Sequence, residues 1–189
     1  MQSLLLSTVV ATLWVVSTAS VSAQGVPVAV THDDLLNGYG QASSGSYNCR
    51  DMAYSGSGNV SLDFAPLSGG LGDPTDGVMA HQRWVVVANL QATGPCVGWT
   101  ITNPAITLHF ASVQSFSQVV VRHDDANGYG PVATSTAVKV TVSGQTQRFE
   151  IADPPGNALF ASTLVLSPGV IGEPLQLQVI RRASAGSAA

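Results

Sequence analysis

Residues 136–151 read TAVKVTVSGQTQRFEI, and this stretch decides the fold class. Valine occupies every second position from Val138 to Val142 and alternates with polar residues, which is the period of a strand with one buried face. A Ser-Gly pair follows, and Gly144 supplies the positive φ that a two-residue hairpin loop needs. Phe149 and Ile151 then resume the apolar face. The sequence therefore predicts an antiparallel hairpin here.

Short apolar runs separated by turn residues recur on both sides of this hairpin, and helical periodicity is nearly absent. The chain between residues 55 and 77 is rich in Gly and Ser, so we expect a loop or irregular turns there. Evenly spaced short strands favour an all-β fold built as a single β-sandwich. The further predicted strands are 47–52, 84–88, 105–110, 116–123, 159–166 and 174–181.

The composition excludes several classes of function. Charged residues make up 10% of the 189 residues, and Lys and Arg together number 7. A nucleic-acid surface needs clustered cations, and so does a polybasic membrane patch. We therefore expect neither partner.

The amino terminus resembles a targeting segment. Residues 4–16 are apolar and uncharged, and a small-x-small pattern ends at Ala23. This predicts a signal peptide at 1–23, a sandwich domain at 24–182 and a disordered tail at 183–189. The run is shorter than the ~20 residues that span a bilayer, so no stable membrane insertion is expected. The alternatives are a first strand of the sheet or an uncleaved anchor.

Two cysteines, Cys49 and Cys96, remain in a chain expected to be secreted, extracellular or periplasmic. An even count in such a chain favours one disulfide, and two buried free thiols are the alternative. Closing the loop of residues 50–95 would stabilise the fold by about 4 kcal/mol in the chain-entropy model.

Two distant stretches of the chain have similar sequences. Residues 32–40 read HDDLLNGYG and residues 123–130 read HDDANGYG. We interpret both as loops that follow a strand. The sharper alternative is a hydrolytic pair or a metal site built on Asp33, Asp34, Asp124 and Asp125. Neighbouring residues of a strand point to opposite faces, so Asp124 and Asp125 would share a substrate only if the chain bends there. Catalytic residues are therefore not assigned, and we expect no enzyme.

An ordered set of motifs resembles a known family. Residues 69–77, GGLGDPTDG, are similar to the GGLGDLTDG segment of secreted discoidin-type (galactose-binding-like) β-sandwich domains, which occur in bacterial exported proteins, often with PEP-CTERM tails. Trp84, the GPCVGW of residues 94–99 and the VRHDDANGYG of residues 121–130 follow in the family's order. The resemblance covers most of residues 28–181 and implies a jelly-roll topology. The acidic final strand and the sorting tail of the family are absent.

The resemblance implies a structural Ca²⁺ near the TDG motif, with Asp73, Thr75 and Asp76 as ligands. Asp and backbone oxygens in tight glycine loops are the hard donors that calcium takes. The alternative is that Asp76 simply closes a turn.

The resemblance and the loop aromatics together predict a non-catalytic module that binds a carbohydrate or cell-surface glycan. Aromatic faces beside polar groups can stack on sugar rings. A structural or matrix protein without a small-molecule ligand is the alternative, and an uncharacterised hydrolase is a third. The oligomeric state is not predicted. The expected ligand-binding residues are Tyr39, Trp99, His123, Asp124, Asp125, Asn127 and Tyr129.

Overall fold

The computed structural model of the chain describes residues 7–10, 26–40, 48–83, 94–100, 102–125 and 133–182. This part of the chain is all-β and forms two sheets, in which every paired strand is antiparallel. The strands are β1 (Ser7–Val10), β2 (His32–Leu36), β3 (Pro66–Gly70), β4 (Val97–Trp99), β5 (Ala105–His109), β6 (Gln114–Asp125), β7 (Ala137–Val142), β8 (Gln145–Glu150), β9 (Ala158–Gly172) and β10 (Leu175–Ile180).

One sheet has four strands in the order β4-β1-β6-β9, and the other has six in the order β3-β2-β5-β10-β7-β8. Every second residue of β5 and β10 points into the core. The most buried of these residues, each at most 1% exposed, are Ile106, Leu108, Leu175 and Leu177. Phe116 of β6 is fully buried in the same cluster. The two sheets are consistent with the predicted sandwich. No helix among the described segments is long and apolar enough to cross a bilayer.

The predicted hairpin is confirmed. β7 pairs with β8 through Ser143 and Gly144, whose φ values of 48° and 76° match the left-handed loop that the sequence implied. The strands predicted at 105–110, 116–123 and 174–181 are also observed. The strand predicted at 159–166 is longer than expected and runs from Ala158 to Gly172.

Three local predictions were wrong. Both HDD triplets lie within strands, β2 and β6, because ladder pairing continues through them: β2 pairs with β3 and β5, and β6 pairs with β9 as far as Asp125. Residues 48–52 are irregular, since buried side-chain hydrogen bonds replace a ladder there. The Gly/Ser-rich stretch contains β3, which pairs with β2. The strand predicted at 84–88 and the tail 183–189 lie outside the described residues.

Candidate functional site

Three buried carboxyl groups from distant parts of the chain meet at the edge of the six-stranded sheet. Asp33 lies in β2, Asp51 lies in an irregular segment, and Asp73 lies in the turn after β3. Their side chains belong to residues that are 0%, 0% and 6% exposed. Buried acids are rare unless they are paired or bind a cation, so this cluster is the candidate site.

The position of Asp33 follows from strand alternation. It shares the inner face of β2 with Leu35, while Asp34 points outward. The hydroxyl of Thr75 donates to Oδ2 of Asp33, and the hydroxyl of Tyr54 donates to its backbone carbonyl. These bonds attach the β3 side of the cluster to β2.

Asp51 is held by a fully buried amide. Oδ1 of Asn37 accepts the backbone N–H of Asp51 at 2.8 Å, and the Asn37 amide donates to the carbonyls of Val60 and Leu62. Asn37 directly follows β2, so a single side chain connects that strand to two loops. The carboxylate of Asp51 in turn accepts the N–H of Asp73 at 3.1 Å.

A tight turn places Asp73 against Asp51. The carbonyl of Gly72 accepts the N–H groups of Thr75 and Asp76, each at 2.8 Å. A Cβ at Gly72 would lie 1.8 Å from Oδ2 of Asp51. Only glycine allows this approach of backbone to carboxylate, which explains the glycine that precedes the Asp-Pro-Thr-Asp sequence.

Burial dominates the electrostatics of the cluster. It raises the pKa of Asp33 to about 6, that of Asp51 to about 7 and that of Asp73 to about 8. Repulsion from Asp33 raises the pKa of Asp51 further, and repulsion from Asp51 raises that of Asp73, with a smaller effect of Asp76 on both. Oδ1 of Asp33 and Oδ1 of Asp51 are buried without a hydrogen-bond partner. At neutral pH the cluster therefore carries uncompensated negative charge or holds protons, and a cation would relieve both conditions.

The donor set suits a hard cation such as Ca²⁺, which takes carboxylate, hydroxyl and carbonyl oxygens. Within the described ranges, no three His, Cys, Asp or Glu side chains form a group that could hold a metal ion by themselves. A calcium ion here would take its remaining ligands from backbone carbonyls and water, as it commonly does.

The structure arranges the sequence-predicted ligands differently from the expectation. Asp73 lies in the cluster and Thr75 borders it through its bond to Asp33. Asp76 is exposed and its Oδ1 accepts the N–H of Val78 at 2.8 Å. The ligand set predicted from the TDG motif did not include Asp33 or Asp51, and Asp33 was considered only as part of the HDD triplets. Alternation with Leu35 could have indicated that Asp33 is buried, whereas no pattern marks Asp51.

Most of the predicted glycan-binding side chains are buried in this structure. Trp99 is 0% exposed, and its Nε1 donates to the carbonyl of Leu36 at 2.7 Å. His123 stacks on Phe160 with ring centroids 4.8 Å apart, and burial lowers its pKa to about 4. Asp124 and Asp125 are also buried.

Of the predicted ligand residues that the structure describes, Tyr39 is the one that remains accessible. It is half-buried and stacks against Phe64 with ring centroids 6.0 Å apart. Its backbone N–H donates to the carbonyl of Gly98, so its loop lies against β4. Asn127 and Tyr129 lie outside the described residues.

The two HDD triplets do not form one site, since β2 and β6 belong to different sheets. Outside the core, Asp34 accepts hydrogen bonds from the hydroxyl of Ser68 at 2.6 Å and contacts Nε2 of His109 at 2.9 Å. His109 stacks on His32 and also contacts Glu173. This network joins β2 to β5 and to the connection between β9 and β10, which is a structural role.

The predicted disulfide is corrected by the structure, in which Cys49 and Cys96 are both free and buried. Their segments do meet, because the N–H of Gly98 donates to the carbonyl of Cys49 at 3.0 Å. A hydrogen bond between the thiols and burial raise the pKa of Cys96 well above its usual range. The thiolate of Cys96 is therefore disfavoured, which lowers the reactivity of this thiol.

We expect no thiol of the folded protein to react with a thiol-specific reagent at pH 8, and two to react in denaturant. The physical reason is that both residues are at most 2% exposed and the thiolate of Cys96 is disfavoured. Colorimetric thiol counting before and after unfolding checks this. Zero thiols in denaturant without reductant would show a disulfide instead.

No family model matches the sequence, and no curated protein matches it significantly.

Proposed function

We propose that this chain is an exported, non-catalytic module that binds a carbohydrate or cell-surface glycan and carries a structural Ca²⁺ in the cluster of Asp33, Asp51 and Asp73. The observation that carries the proposal is the pair of buried, unpartnered carboxylate oxygens on Asp33 and Asp51. Apolar or hydrogen-bonded side chains at these positions would cost less folding free energy than buried acids without a counter-charge. The presence of the acids therefore supports a bound cation.

The cation would organise the loops that present Tyr39. Asn37 positions Asp51, and two residues later Tyr39 donates its N–H to β4. The N–H of Gly40 donates to Oδ1 of Asp63 at 2.6 Å, and the same oxygen accepts Nε of Arg50 at 2.7 Å. The residues on both sides of Tyr39 are thus tied to the segment that carries Asp51. Calcium binding and glycan binding would therefore be coupled through the loop of residues 37–40.

The finer parts of the proposal follow from the sequence resemblance. They are the discoidin-type jelly-roll topology, the removal of residues 1–23 and an extracellular or periplasmic location. Asn127 and Tyr129 belong to the proposed glycan surface with Tyr39. Trp99, His123, Asp124 and Asp125 are buried and would act only through the residues that they support.

A matched pair of substitutions tests the glycan surface. We expect Tyr39→Ala to weaken binding about two- to tenfold, because a stacking ring contributes on the order of 0.5–1.5 kcal/mol. Tyr39→Phe keeps the ring and its contact with Phe64, so it should bind like the parent. A polysaccharide array probed with both variants, with calcium and with EDTA, gives the measurement. Absence of binding to every glycan by folded, calcium-loaded protein would refute the proposal.

An assembly protein is the second candidate, and an exposed strand favours it. β9 is 15 residues long and lies at the edge of the four-stranded sheet, with Val165 and Ile171 exposed by 60% and 65%. Long edge strands with exposed apolar residues are templates for pairing with another chain. Sedimentation analysis separates the candidates. Self-association that Val165→Lys abolishes, without glycan binding, would favour assembly.

A further inference from the structure

The half-buried cation Arg50 lies beside the loop that carries Tyr39. Its guanidinium packs on the backbone of Gly40, because a Cβ added to Gly40 would lie 2.0 Å from Cζ of Arg50. One oxygen, Oδ1 of Asp63, accepts Nε of Arg50 at 2.7 Å and the N–H of Gly40 at 2.6 Å. The side chain of Arg50 is 22% exposed. These contacts hold the cation next to Tyr39 at the surface of the protein.

The ion pair leaves most of the hydrogen-bonding capacity of Arg50 unused. A guanidinium has five N–H donors, and Asp63 takes only the one on Nε. The remaining donors, on the two Nη atoms, form no hydrogen bond within the part of the chain that the structure describes, and water reaches them. A ligand oxyanion can accept both Nη groups in the planar, bidentate arrangement that arginine favours.

An aromatic pair lies next to this cation. Tyr39 precedes Gly40 in the chain, and its ring stacks on that of Phe64, which follows Asp63. The two ring centroids are 6.0 Å apart, and the ring planes differ by 22°. Both residues are half-buried, so part of the pair faces solvent. A ring surface beside a cation suits a ligand with an apolar face and a negatively charged group.

The backbone of Phe64 is an independent sign that this turn serves a ligand. Its φ is 55°, in the left-handed region that bulky residues rarely adopt. Strained residues of this kind concentrate at functional sites, where the surrounding structure holds them in place. Here the carbonyl of Ala65 accepts the N–H of Asn37 at 2.8 Å, and the Asn37 amide donates to the carbonyl of Leu62 at 3.2 Å. The strained turn is thus anchored on both sides of Phe64.

We infer that Arg50 selects sugars that carry an oxyanion, so that the ligand of this surface is an acidic polysaccharide. The sugar ring would stack on Tyr39, and its carboxylate or sulfate would accept the Nη donors of Arg50. This inference rests on the proposed glycan-binding function and names the ligand class for it. Lys and Arg number only 7 in the 189 residues, so one arginine can decide the preference for charge.

Pairs of soluble oligosaccharides that differ in charge test the inference by titration calorimetry, with protein dialysed free of unbound calcium. Oligogalacturonate is compared with its methyl ester, and dextran sulfate with dextran. We expect the charged member of at least one pair to bind the parent about tenfold or more tightly than its neutral partner, because hydrogen bonds between charged groups are the stronger ones. The pair that shows the preference identifies the oxyanion as a carboxylate or a sulfate.

Three substitutions separate recognition by Arg50 from general electrostatic attraction. Arg50→Gln should remove the preference for the charged member of the pair. Arg50→Lys keeps the positive charge but lacks the planar fork, so it should retain only part of the preference. Arg148→Gln is the control and should bind like the parent, because Arg148 pairs with Glu150 in β8, at the opposite edge of the sheet from β3.

Thermal unfolding shows whether each variant is folded. If Arg50→Gln is not, Arg50→Lys decides, and a preference in Arg50→Lys equal to that of the parent would contradict the inference.

Equal binding of charged and neutral members by the parent would overturn the inference and leave the proposed function standing. Binding to neutral glycans only would do the same. A preference that persists in Arg50→Gln, or that falls equally in Arg148→Gln, would also overturn it, because overall charge and not Arg50 would then be responsible. Absence of binding to every glycan would refute the proposed function and this inference with it, so the two failures are distinguishable.

Discussion

In EDTA, the protein is expected to become less stable as the pH rises from 6.5 to 8, and calcium should remove this dependence. The folded pKa values of Asp51 and Asp73, about 7 and about 8, lie above the value near 4 of an unfolded aspartate. The folded state therefore binds more protons than the unfolded state in this window. Stability is complete below the unfolded pKa and is lost as the pH rises through the folded pKa.

The window is chosen to limit an opposing effect from His123. Burial lowers its folded pKa to about 4, so its contribution is present above the unfolded value of about 6.5 and is lost as the pH falls below it. Above pH 6.5 only about 0.4 kcal/mol of the opposing His123 effect remains, so the carboxyl groups dominate the pH dependence. One extra bound proton corresponds to about 1.4 kcal/mol for each pH unit, or about 2 kcal/mol over the window.

Thermal unfolding in EDTA and in millimolar calcium measures the effect. A loss of about 2 kcal/mol corresponds to a fall of roughly 4–8 °C in Tm for a chain of this size. Asp51→Asn should flatten the profile in EDTA, because it removes one buried acid and the repulsion that it exerts on the others. A Tm that is constant or rises between pH 6.5 and 8 in EDTA would contradict this electrostatic account.

Gly72→Ala is expected to be the most damaging single substitution at the site. The new Cβ would lie 1.8 Å from Oδ2 of Asp51, and that short side chain is held by the N–H of Asp73. The carboxylate cannot move aside without breaking this bond. We expect a loss of about 3 kcal/mol, as for severe overpacking, and also loss of the stabilisation by calcium.

Gly69→Ala is the matched control for this substitution. Gly69 has a φ of 74°, and nothing lies within 4 Å of its added Cβ. The control therefore measures backbone strain alone, about 1–2 kcal/mol, and should keep the full response to calcium. The comparison is made from chemical denaturation curves with and without the ion. Equal responses of Gly72→Ala and the parent to calcium would show that Asp51 is not a ligand.

The sequence predicts the strands well wherever burial alternates with a period of two. The β7–β8 hairpin, β5 and β10 were located in this way because each has one buried face and a clear turn signal. β3 was missed because its sequence, PLSGG, has no alternation of apolar and polar residues. The strand forms because it pairs with β2, which is distant in the sequence. Residues 48–52 were mistaken for a strand, since backbone bonds of Cys49 alternate with side-chain bonds of Arg50 and Asp51 and no continuous ladder forms.

The candidate site was only half predictable for a similar reason. The TDG motif led to Asp73 and Thr75, but Asp51 joins them through a hydrogen bond between residues 22 positions apart. A hydrogen bond of that kind leaves no periodic trace in one sequence. The disulfide prediction was wrong for another reason. The segments of Cys49 and Cys96 do meet, but the sequence contains no direct information on the oxidation state, which was assumed from the expected compartment.

Calorimetric titration of Ca²⁺ into EDTA-treated, dialysed protein at pH 7.5 tests the central claim most directly. Asp153→Asn provides the control, because this exposed carboxylate pairs with Arg182 away from the cluster. The account predicts one ion bound per chain, at least about tenfold weaker binding by Asp51→Asn, and parental binding by Asp153→Asn. Absence of binding to the folded parent, or equal affinity of the Asp51→Asn and Asp153→Asn variants, would contradict it.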